Sequence, residues 1–170
     1  SKDNLLLLKN NNKKIQVFPA DLSIDLERKK LYRWILKNDL NIISIVNSIG
    51  SVTPIKSALN LKISEWKNLH SINFEAPLFT SILLSNLMKK GRILFVGSSS
   101  SSKPRMGWTP YCTSKSALKM ATECLKLEWE KSLIKVSSAK PGAVYTKIMK
   151  QGMFADENIF PDKKIFEKLK

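Results

Sequence analysis

The sequence predicts an α/β fold built on a doubly wound parallel sheet. Short runs rich in Ile, Val and Leu alternate with longer stretches of helical apolar periodicity, which is the pattern of successive strand–helix–strand units. Runs of this composition are expected for strands that helices cover on both faces. With 170 residues and 43% hydrophobic composition, the chain suits one domain over residues 1–170. The candidate strands are residues 14–18, 41–46, 92–97 and 134–139.

Helices are predicted between these strands. Ser23 is the expected N-cap of the first helix, and Asp25 falls in its first turn, where a carboxylate is favourable. Pro77 is expected to kink the second helix, because proline has no amide hydrogen to donate within the helix. Right-handed crossovers between parallel strands place a ligand site beyond the carboxyl ends of the strands. The predicted helices cover residues 24–36, 64–91 and 111–131.

Composition also limits compartment and cofactor type. No apolar run approaches the roughly 20 residues that cross a bilayer, and residues 5–8 form only a short leucine patch. Cys112 and Cys124 lie too far apart on one predicted helix for a disulfide. No cluster of His, Cys, Asp and Glu has the spacing of a metal site. These features predict a cytoplasmic protein with no membrane segment and no bound metal.

The formal net charge of +15 raises the question of nucleic-acid binding, because a basic surface attracts phosphate. The lysines are scattered singly or in pairs along the chain, with no basic stretch interleaved with stacking aromatics. The four arginines are far apart in sequence. We therefore expect solvated lysine-rich faces and no nucleic-acid partner, although salt-dependent DNA affinity would test the alternative.

Three side chains carry chemistry that the pattern brings together. Tyr111 and Lys115 are four residues apart, which places a phenol and an ammonium on one face of a helix. Ser98 directly follows the apolar strand at 92–97 and precedes Tyr111 by 13 residues. A hydroxyl at a strand end therefore faces a phenol at a helix start across one loop. Such a site can hold a carbonyl oxygen and exchange a proton with it.

This arrangement resembles the short-chain dehydrogenase/reductase family. The serine and the Y-x-x-x-K pair of that family are matched by Ser98, Tyr111 and Lys115, and its upstream asparagine is matched by Asn73. Further motifs occur in the family order. They are Asp21 and Leu22 for the acidic turn near adenine, Asn47 and Gly50 for N-N-A-G, and Pro141, Gly142, Val144 and Thr146 for P-G-x-V-x-T.

The chain departs from the family pattern in two places. Its N-N-A-G equivalent keeps only the first asparagine and the glycine. The T-G-x-x-x-G-x-G turn, which cradles the cofactor pyrophosphate at a helix N-terminus, does not occur in the sequence. No final strand is recognisable near Lys170 either. The resemblance thus predicts a Rossmann-like domain that is truncated at both ends.

What the resemblance implies is an NAD(P)(H)-dependent oxidoreductase that acts on ketones or aldehydes, with NADP slightly favoured over NAD. Tyr111 would exchange the proton, Ser98 would hold the substrate oxygen, and Asn73 would support a water that leads to Lys115. Tyr111 and Lys115 would also contact the cofactor. The loop 103–110, with Met106 and Trp108, and residues 149–154 would form an apolar lid, which favours an apolar or aromatic substrate. The approach to Tyr111 through Gly107 and Trp108, and the region of Phe160 and Pro161, resemble sepiapterin- and benzil-type carbonyl reductases. The family resemblance also implies a homo-dimer or homo-tetramer.

Other interpretations remain open at this stage. The alternative is a truncated, non-catalytic relative that acts as a binding protein, since the sequence lacks the glycine turn. Each site residue also has an ordinary structural explanation. Tyr111 could be an aromatic residue at a helix start, Ser98 is one of several adjacent serines, and Asn73 could form hydrogen bonds to the backbone at a helix kink. A serine hydrolase is disfavoured because Gly97 and Ser98 do not continue as G-x-S-x-G. His70, the only histidine, is expected to be structural.

Overall fold

A computed structural model describes residues 2–12 and 14–141. The chain divides into two compact units, residues 1–40 and residues 41–170. The first contains helices α1 (Lys2–Asn11) and α2 (Asp25–Lys37). The second contains strands β1 (Ser44–Asn47), β2 (Gly91–Val96) and β3 (Ile134–Ala139), with helices α3 (Ile63–His70), α4 (Ala76–Ser85) and α5 (Thr109–Glu128). None of the described helices is both long enough and apolar enough to cross a membrane.

The first unit corrects two sequence predictions and contains one helix that was not predicted. Residues 15–20 have no regular structure, so the predicted strand at 14–18 is wrong. A strand exists only with a hydrogen-bonded neighbour, and no described strand precedes β1. Helix α1 was not predicted, because the leucine patch at 5–8 has no amphipathic spacing. The N-cap of α2 is Ile24 rather than Ser23, and no side chain caps it.

The second unit contains the predicted parallel sheet. Its three strands lie in the order β1-β2-β3, and both pairs are parallel. Gly91 begins β2 with a φ of 154°, and a Cβ there would collide with the carbonyl of Ile43. Only glycine permits this approach, because it has no side chain. The predicted strand bounds at 92–97 and 134–139 agree with β2 and β3 to within one residue.

The hydrophobic core lies between this sheet and its crossover helices. Ile93 and Phe95 lie on the same face of β2, because successive side chains of a strand point to opposite faces, and both are at most 1% exposed. Burial of one such side chain stabilises the fold by about 1.5–3 kcal/mol. The core is completed by residues of α4, α5 and the chain before β2, namely Leu78, Met88, Leu118 and Leu125.

The crossover from β1 to β2 contains a helix with a built-in irregularity. Residues Ser71–Glu75 form a π-helical turn between α3 and α4, in which the amide of Ala76 donates to the carbonyl of Ser71. Pro77 follows at the start of α4, and it has no amide to continue the regular pattern. A π-helical turn therefore lies just before Pro77, where the sequence predicted a kink. Single π turns of this kind occur often at functional sites.

Candidate active site

Three of the predicted site residues, Asn47, Ser98 and Lys115, lie at the carboxyl edge of the sheet. Asn47 is the last residue of β1, and Ser98 lies two residues beyond the end of β2. The Lys115 ammonium, from the second turn of α5, donates to the carbonyl of Val96 at 3.2 Å. This bond ties the start of α5 to the end of β2. Ligands of open α/β sheets bind at this edge.

Lys115 is a buried cation. The residue is only 5% exposed, and this burial lowers the pKa of Lys115 from 10.5 to about 8. Desolvation causes the shift, and no carboxylate among the described residues compensates the charge. An ammonium has three donors, and the carbonyl of Val96 uses one. The remaining N–H groups have no partner within residues 14–141 and can donate to hydroxyl groups of a ligand.

Tyr111 lies one helical turn before Lys115, in the first turn of α5. Its ring meets Trp108 edge-on, with ring centroids 5.4 Å apart, and Trp108 is only 8% exposed. The guanidinium of Arg105 lies 5.0 Å from the centre of the Trp108 ring. Gly107 turns the loop with a φ of 75°, and its carbonyl accepts the amide of Lys56 at 3.0 Å. These contacts fix one side of the phenol.

Ser98 begins the turn of residues Ser99–Ser101 as its N-cap. Its Oγ accepts the amide of Ser100 at 3.2 Å, which leaves the hydroxyl proton free to be donated. The Oγ of Ser116, on α5, donates to the carbonyl of Ser101 at 3.0 Å. The serine turn is therefore held along the same helix that carries Tyr111 and Lys115.

Asn73 lies in the π-helical turn and is fully buried. Its Oδ1 accepts the amide of Ser51 at 2.8 Å, and its Nδ2 donates to the carbonyl of Ser51 at 2.8 Å. The same Nδ2 donates to Ser114 Oγ at 3.1 Å. A Cβ added to Gly50 would lie 3.5 Å from Asn73 Oδ1 and 3.6 Å from Lys115 Nζ. The structure thus brings Gly50, Asn73 and Lys115 together.

Asn47 is buried and its amide is committed inside the fold. Its Nδ2 donates to Ser81 Oγ on α4 at 2.8 Å, and a longer contact of 3.5 Å joins it to the carbonyl of Leu94. The side chain therefore joins β1 to the neighbouring helix and strand. Its predicted cofactor contact remains a prediction.

The predicted adenine-side residues lie in the first unit. Asp21 Oδ1 accepts both the amide of Ser23, at 3.0 Å, and its hydroxyl, at 2.6 Å. These hydrogen bonds lower the pKa of Asp21. The carbonyl of Leu22 accepts Arg28 Nη1 at 2.7 Å. Both residues thus shape the entry into α2, and their contact with adenine is not tested by this geometry.

The last predicted motif follows β3. Pro141 is exposed and lies two residues beyond the end of that strand. Gly142, Val144 and Thr146 lie outside the described residues. Their cofactor contacts therefore stay predictions from the sequence.

His70 has a structural environment. Its Nε2 lies 3.0 Å from Thr113 Oγ1, and its ring stacks on Trp66 with centroids 4.5 Å apart. Burial lowers the pKa of His70, although the charge of Glu75 opposes the shift. The residue thus joins α3 to α5. Among the described residues, no group of three or more His, Cys, Asp and Glu side chains could hold a metal ion.

The structure adds two residues that sequence reasoning missed. Ser51 provides both backbone groups that hold Asn73, and Ser114 provides the third partner. Ser114 stands directly before Lys115 in the Y-C-T-S-K stretch, so its position was visible in the sequence. Its partner is 41 residues away, which local patterns do not reveal.

Known proteins resemble this chain over most of its length. A 2,3-dihydro-2,3-dihydroxybenzoate dehydrogenase of Bacillus subtilis is 29% identical over 89% of the chain and 58% of the relative. A benzil reductase of the same species, described as (S)-benzoin forming, is 30% identical over 62% of the chain and 46% of the relative. The chain therefore spans about half the length of the curated relatives it matches.

A solved structure has the same fold as this chain. A short-chain dehydrogenase/reductase from Saccharomyces cerevisiae superposes with a TM-score of 0.81 at 25% identity, over 93% of this chain and 62% of that one. The family model of short chain dehydrogenases matches residues 3–157. This match covers the described sheet, the π-helical turn and the Tyr111–Lys115 helix. The chain therefore belongs to the short-chain dehydrogenase family.

Proposed function

We propose that the full-length protein is an NAD(P)(H)-dependent oxidoreductase that interconverts a carbonyl compound and its alcohol. The observation that carries this proposal is the buried ammonium of Lys115, which has no ion-pair partner in the part of the chain that the structure describes and lies one helical turn from Tyr111 at the carboxyl end of β2. Burying a charge without a partner costs free energy, and residues with strongly shifted pKa values concentrate at functional sites. The named activities of the relatives support an oxidoreductase.

The donors on this chain fit the nicotinamide end of the cofactor. Lys115 keeps N–H groups available for ribose hydroxyls, and glycine at position 50 leaves open the space beside Lys115 Nζ and Asn73 Oδ1. When bound, the nicotinamide supplies or accepts the hydride. Beyond Tyr111 and Lys115, the residues proposed to contact it are those of the family motifs: Asp21, Leu22, Asn47, Gly50, Pro141, Gly142, Val144 and Thr146. NADP remains slightly favoured over NAD.

Tyr111 and Ser98 act on the substrate oxygen in this proposal. The Ser98 hydroxyl donates to that oxygen, which positions the carbonyl and stabilises the charge that develops on it. The Tyr111 hydroxyl gives up its proton to the same oxygen during reduction and takes it back during oxidation. The edge contact with Trp108 restrains the ring so that its hydroxyl is already oriented.

Lys115 and Asn73 support this proton transfer. The ammonium stabilises the negative charge left on the phenol oxygen, and its burial strengthens that interaction because little water screens it. Asn73 holds the segment after β1 against α5, and its π-helical turn supports a water that leads protons to Lys115.

The substrate is inferred to be an apolar carbonyl compound that carries an aromatic ring. One reported relative is named for benzil, a diketone that carries two aromatic rings. The loop before Tyr111 contributes Trp108 and the 60% exposed side chain of Met106. Aromatic and thioether side chains of this kind line apolar ligand sites.

The assembly is inferred to be a homo-dimer or homo-tetramer of a cytoplasmic enzyme. Helices α4 and α5 expose large apolar side chains, with Phe79 47%, Met120 66% and Leu127 77% exposed. Exposed apolar groups of this size on helix surfaces favour association between copies. Sedimentation of the purified protein tests this, and a monomer at micromolar concentration would contradict it.

The test of function is NAD(P)H oxidation by the full-length protein in the presence of an aromatic ketone or diketone. Tyr111→Phe should lower kcat by about 10²–10⁴-fold, because it removes the proton donor while keeping the ring. Tyr32→Phe makes the same chemical change on α2 and should leave kcat within twofold. Equal turnover in Tyr111→Phe would refute the mechanism, and cofactor binding without turnover in the wild type would favour the non-catalytic alternative.

A further inference from the structure

Ser114 occupies the centre of a directed chain of hydrogen bonds. Its Oγ–H donates to the carbonyl of Tyr111 at 2.8 Å, and its Oγ accepts Asn73 Nδ2 at 3.1 Å. The amide of Ser51 in turn donates to Asn73 Oδ1 at 2.8 Å. Ser114 and Asn73 are both fully buried. The chain therefore runs from the segment after β1, through the π-helical turn, into the first turn of α5.

The direction of each bond is fixed by chemistry. A backbone amide can only donate, so the atom of Asn73 that faces Ser51 N must be the oxygen. Nδ2 then has two hydrogens, which go to the carbonyl of Ser51 and to Ser114 Oγ. Because Ser114 accepts there, its own proton is free for Tyr111. Hydrogen bonds that point one way along a chain polarise and strengthen each other.

The position of Ser114 gives this chain a consequence for the site. Ser114 stands between Tyr111 and Lys115, and the Lys115 ammonium lies beside the space above Gly50 that Asn73 Oδ1 also lines. A serine that bonded only within its own helix would restrain none of these groups. Here its hydroxyl joins the π-helical turn to the backbone of Tyr111.

From this geometry we propose that Ser114 is a positioning residue, which holds the Tyr111–Lys115 turn of α5 against Asn73 and so keeps the Lys115 ammonium in its buried position. This inference rests on the proposed function for its effect on turnover, but its effect on Lys115 does not depend on turnover. Thr122 offers a matched control. It is fully buried two turns further along α5, and its hydroxyl donates only to the carbonyl of Leu118, at 2.7 Å.

The experiment compares Ser114→Ala with Thr122→Val in the full-length protein. Each change removes one buried hydroxyl from α5, so both should lower stability. In Ser114→Ala the turn is released and the ammonium becomes more exposed to bulk solvent, so the pKa of Lys115 should rise from about 8 by at least half a unit. NMR of ¹³C-labelled lysine measures this, since that signal titrates apart from ordinary lysines. In Thr122→Val the Lys115 signal should be unchanged.

Turnover provides the second measurement. Ser114→Ala should lower kcat about tenfold and leave the KM for NADPH within twofold, whereas Thr122→Val should change neither. If the two variants titrate alike and turn over alike, the proposal is overturned. If Ser114→Ala does not fold, Ser114→Cys keeps the volume with weaker hydrogen bonding, and an unshifted Lys115 in that variant would overturn it as well. A wild type without turnover refutes the proposed function and leaves the lysine titration to decide this one.

Discussion

The two halves of helix α5 bury different kinds of side chain, and the two kinds have opposite effects on stability. Its first two turns bury Ser114 and Lys115, while its later turns bury Leu118 and Leu125. Each buried leucine stabilises the fold by about 1.5–3 kcal/mol. The fall in the pKa of Lys115 from 10.5 to about 8 means that its burial costs roughly 3 kcal/mol at neutral pH. One half of the helix thus stabilises the protein, and the other half places a cation where chemistry would need it.

The largest expected effect on stability comes from truncating a buried leucine in the later turns of α5. Leu118→Ala should lower the free energy of unfolding by about 2–5 kcal/mol, because it leaves a cavity between α5 and the sheet. Urea unfolding at pH 7 measures this loss. Leu127→Ala on the same helix removes a side chain that is 77% exposed and should cost less than about 0.5 kcal/mol. Equal losses in the two variants would contradict the division of the helix.

Removing the buried charge in the second turn of α5 should stabilise the protein. Lys115→Met removes the buried charge and should raise the free energy of unfolding at pH 7 by up to about 3 kcal/mol, while abolishing the proposed activity. Loss of the hydrogen bond to Val96 reduces this gain by about 1 kcal/mol. Lys119→Met, one turn on and exposed, should change stability little.

The stabilisation expected from Lys115→Met depends on pH. Below pH 8 Lys115 is charged in both the folded and the unfolded chain, so the whole cost of burial is present. Between pH 8 and pH 10.5 the folded protein loses this proton before the unfolded chain does, and the cost is relieved. The advantage of Lys115→Met over wild type should therefore shrink across that window. An advantage that stays constant with pH would show that Lys115 is not held at a lowered pKa.

A smaller effect tests whether every costly buried polar group belongs to the site. Within the described residues, Thr80 Oγ1 on α4 is buried without a hydrogen-bond partner. Thr80→Val keeps the shape and removes the unsatisfied hydroxyl, so it should stabilise the fold by about 1 kcal/mol without changing turnover. Thr122→Val removes a satisfied hydroxyl and should destabilise by about the same amount. Chemical denaturation of both variants distinguishes the two cases, and a loss of stability in Thr80→Val would contradict this view.

Local patterns predicted the parts of the fold that local physics determines. The apolar runs at 92–97 and 134–139 correspond to β2 and β3, because a strand buried in a parallel sheet is apolar throughout. The run at 14–18 has a similar composition but no partner strand in the described chain, and a strand requires one. Helix α1 was missed because its leucines are contiguous rather than spaced by three and four.

The candidate site was predictable residue by residue but not as a network. Sequence spacing placed Tyr111 above Lys115, and strand order placed Ser98 at the correct edge of the sheet. The bonds that join Ser51, Asn73 and Ser114 span 22 and 41 residues. No periodicity encodes such pairs, since they depend on how the crossover helices pack.

The π-helical turn at Ser71–Glu75 couples two distant requirements through helix phase. An α-helix rotates by about 100° per residue, so one inserted residue turns everything that follows it by that angle. The insertion lets Asn73 face α5 while Leu78 and Leu84, further along, still face inward. Deleting any one residue of this segment would rotate α4 out of phase with the sheet, so the hydrogen-bonding asparagine and the apolar face of α4 depend on the same single extra residue.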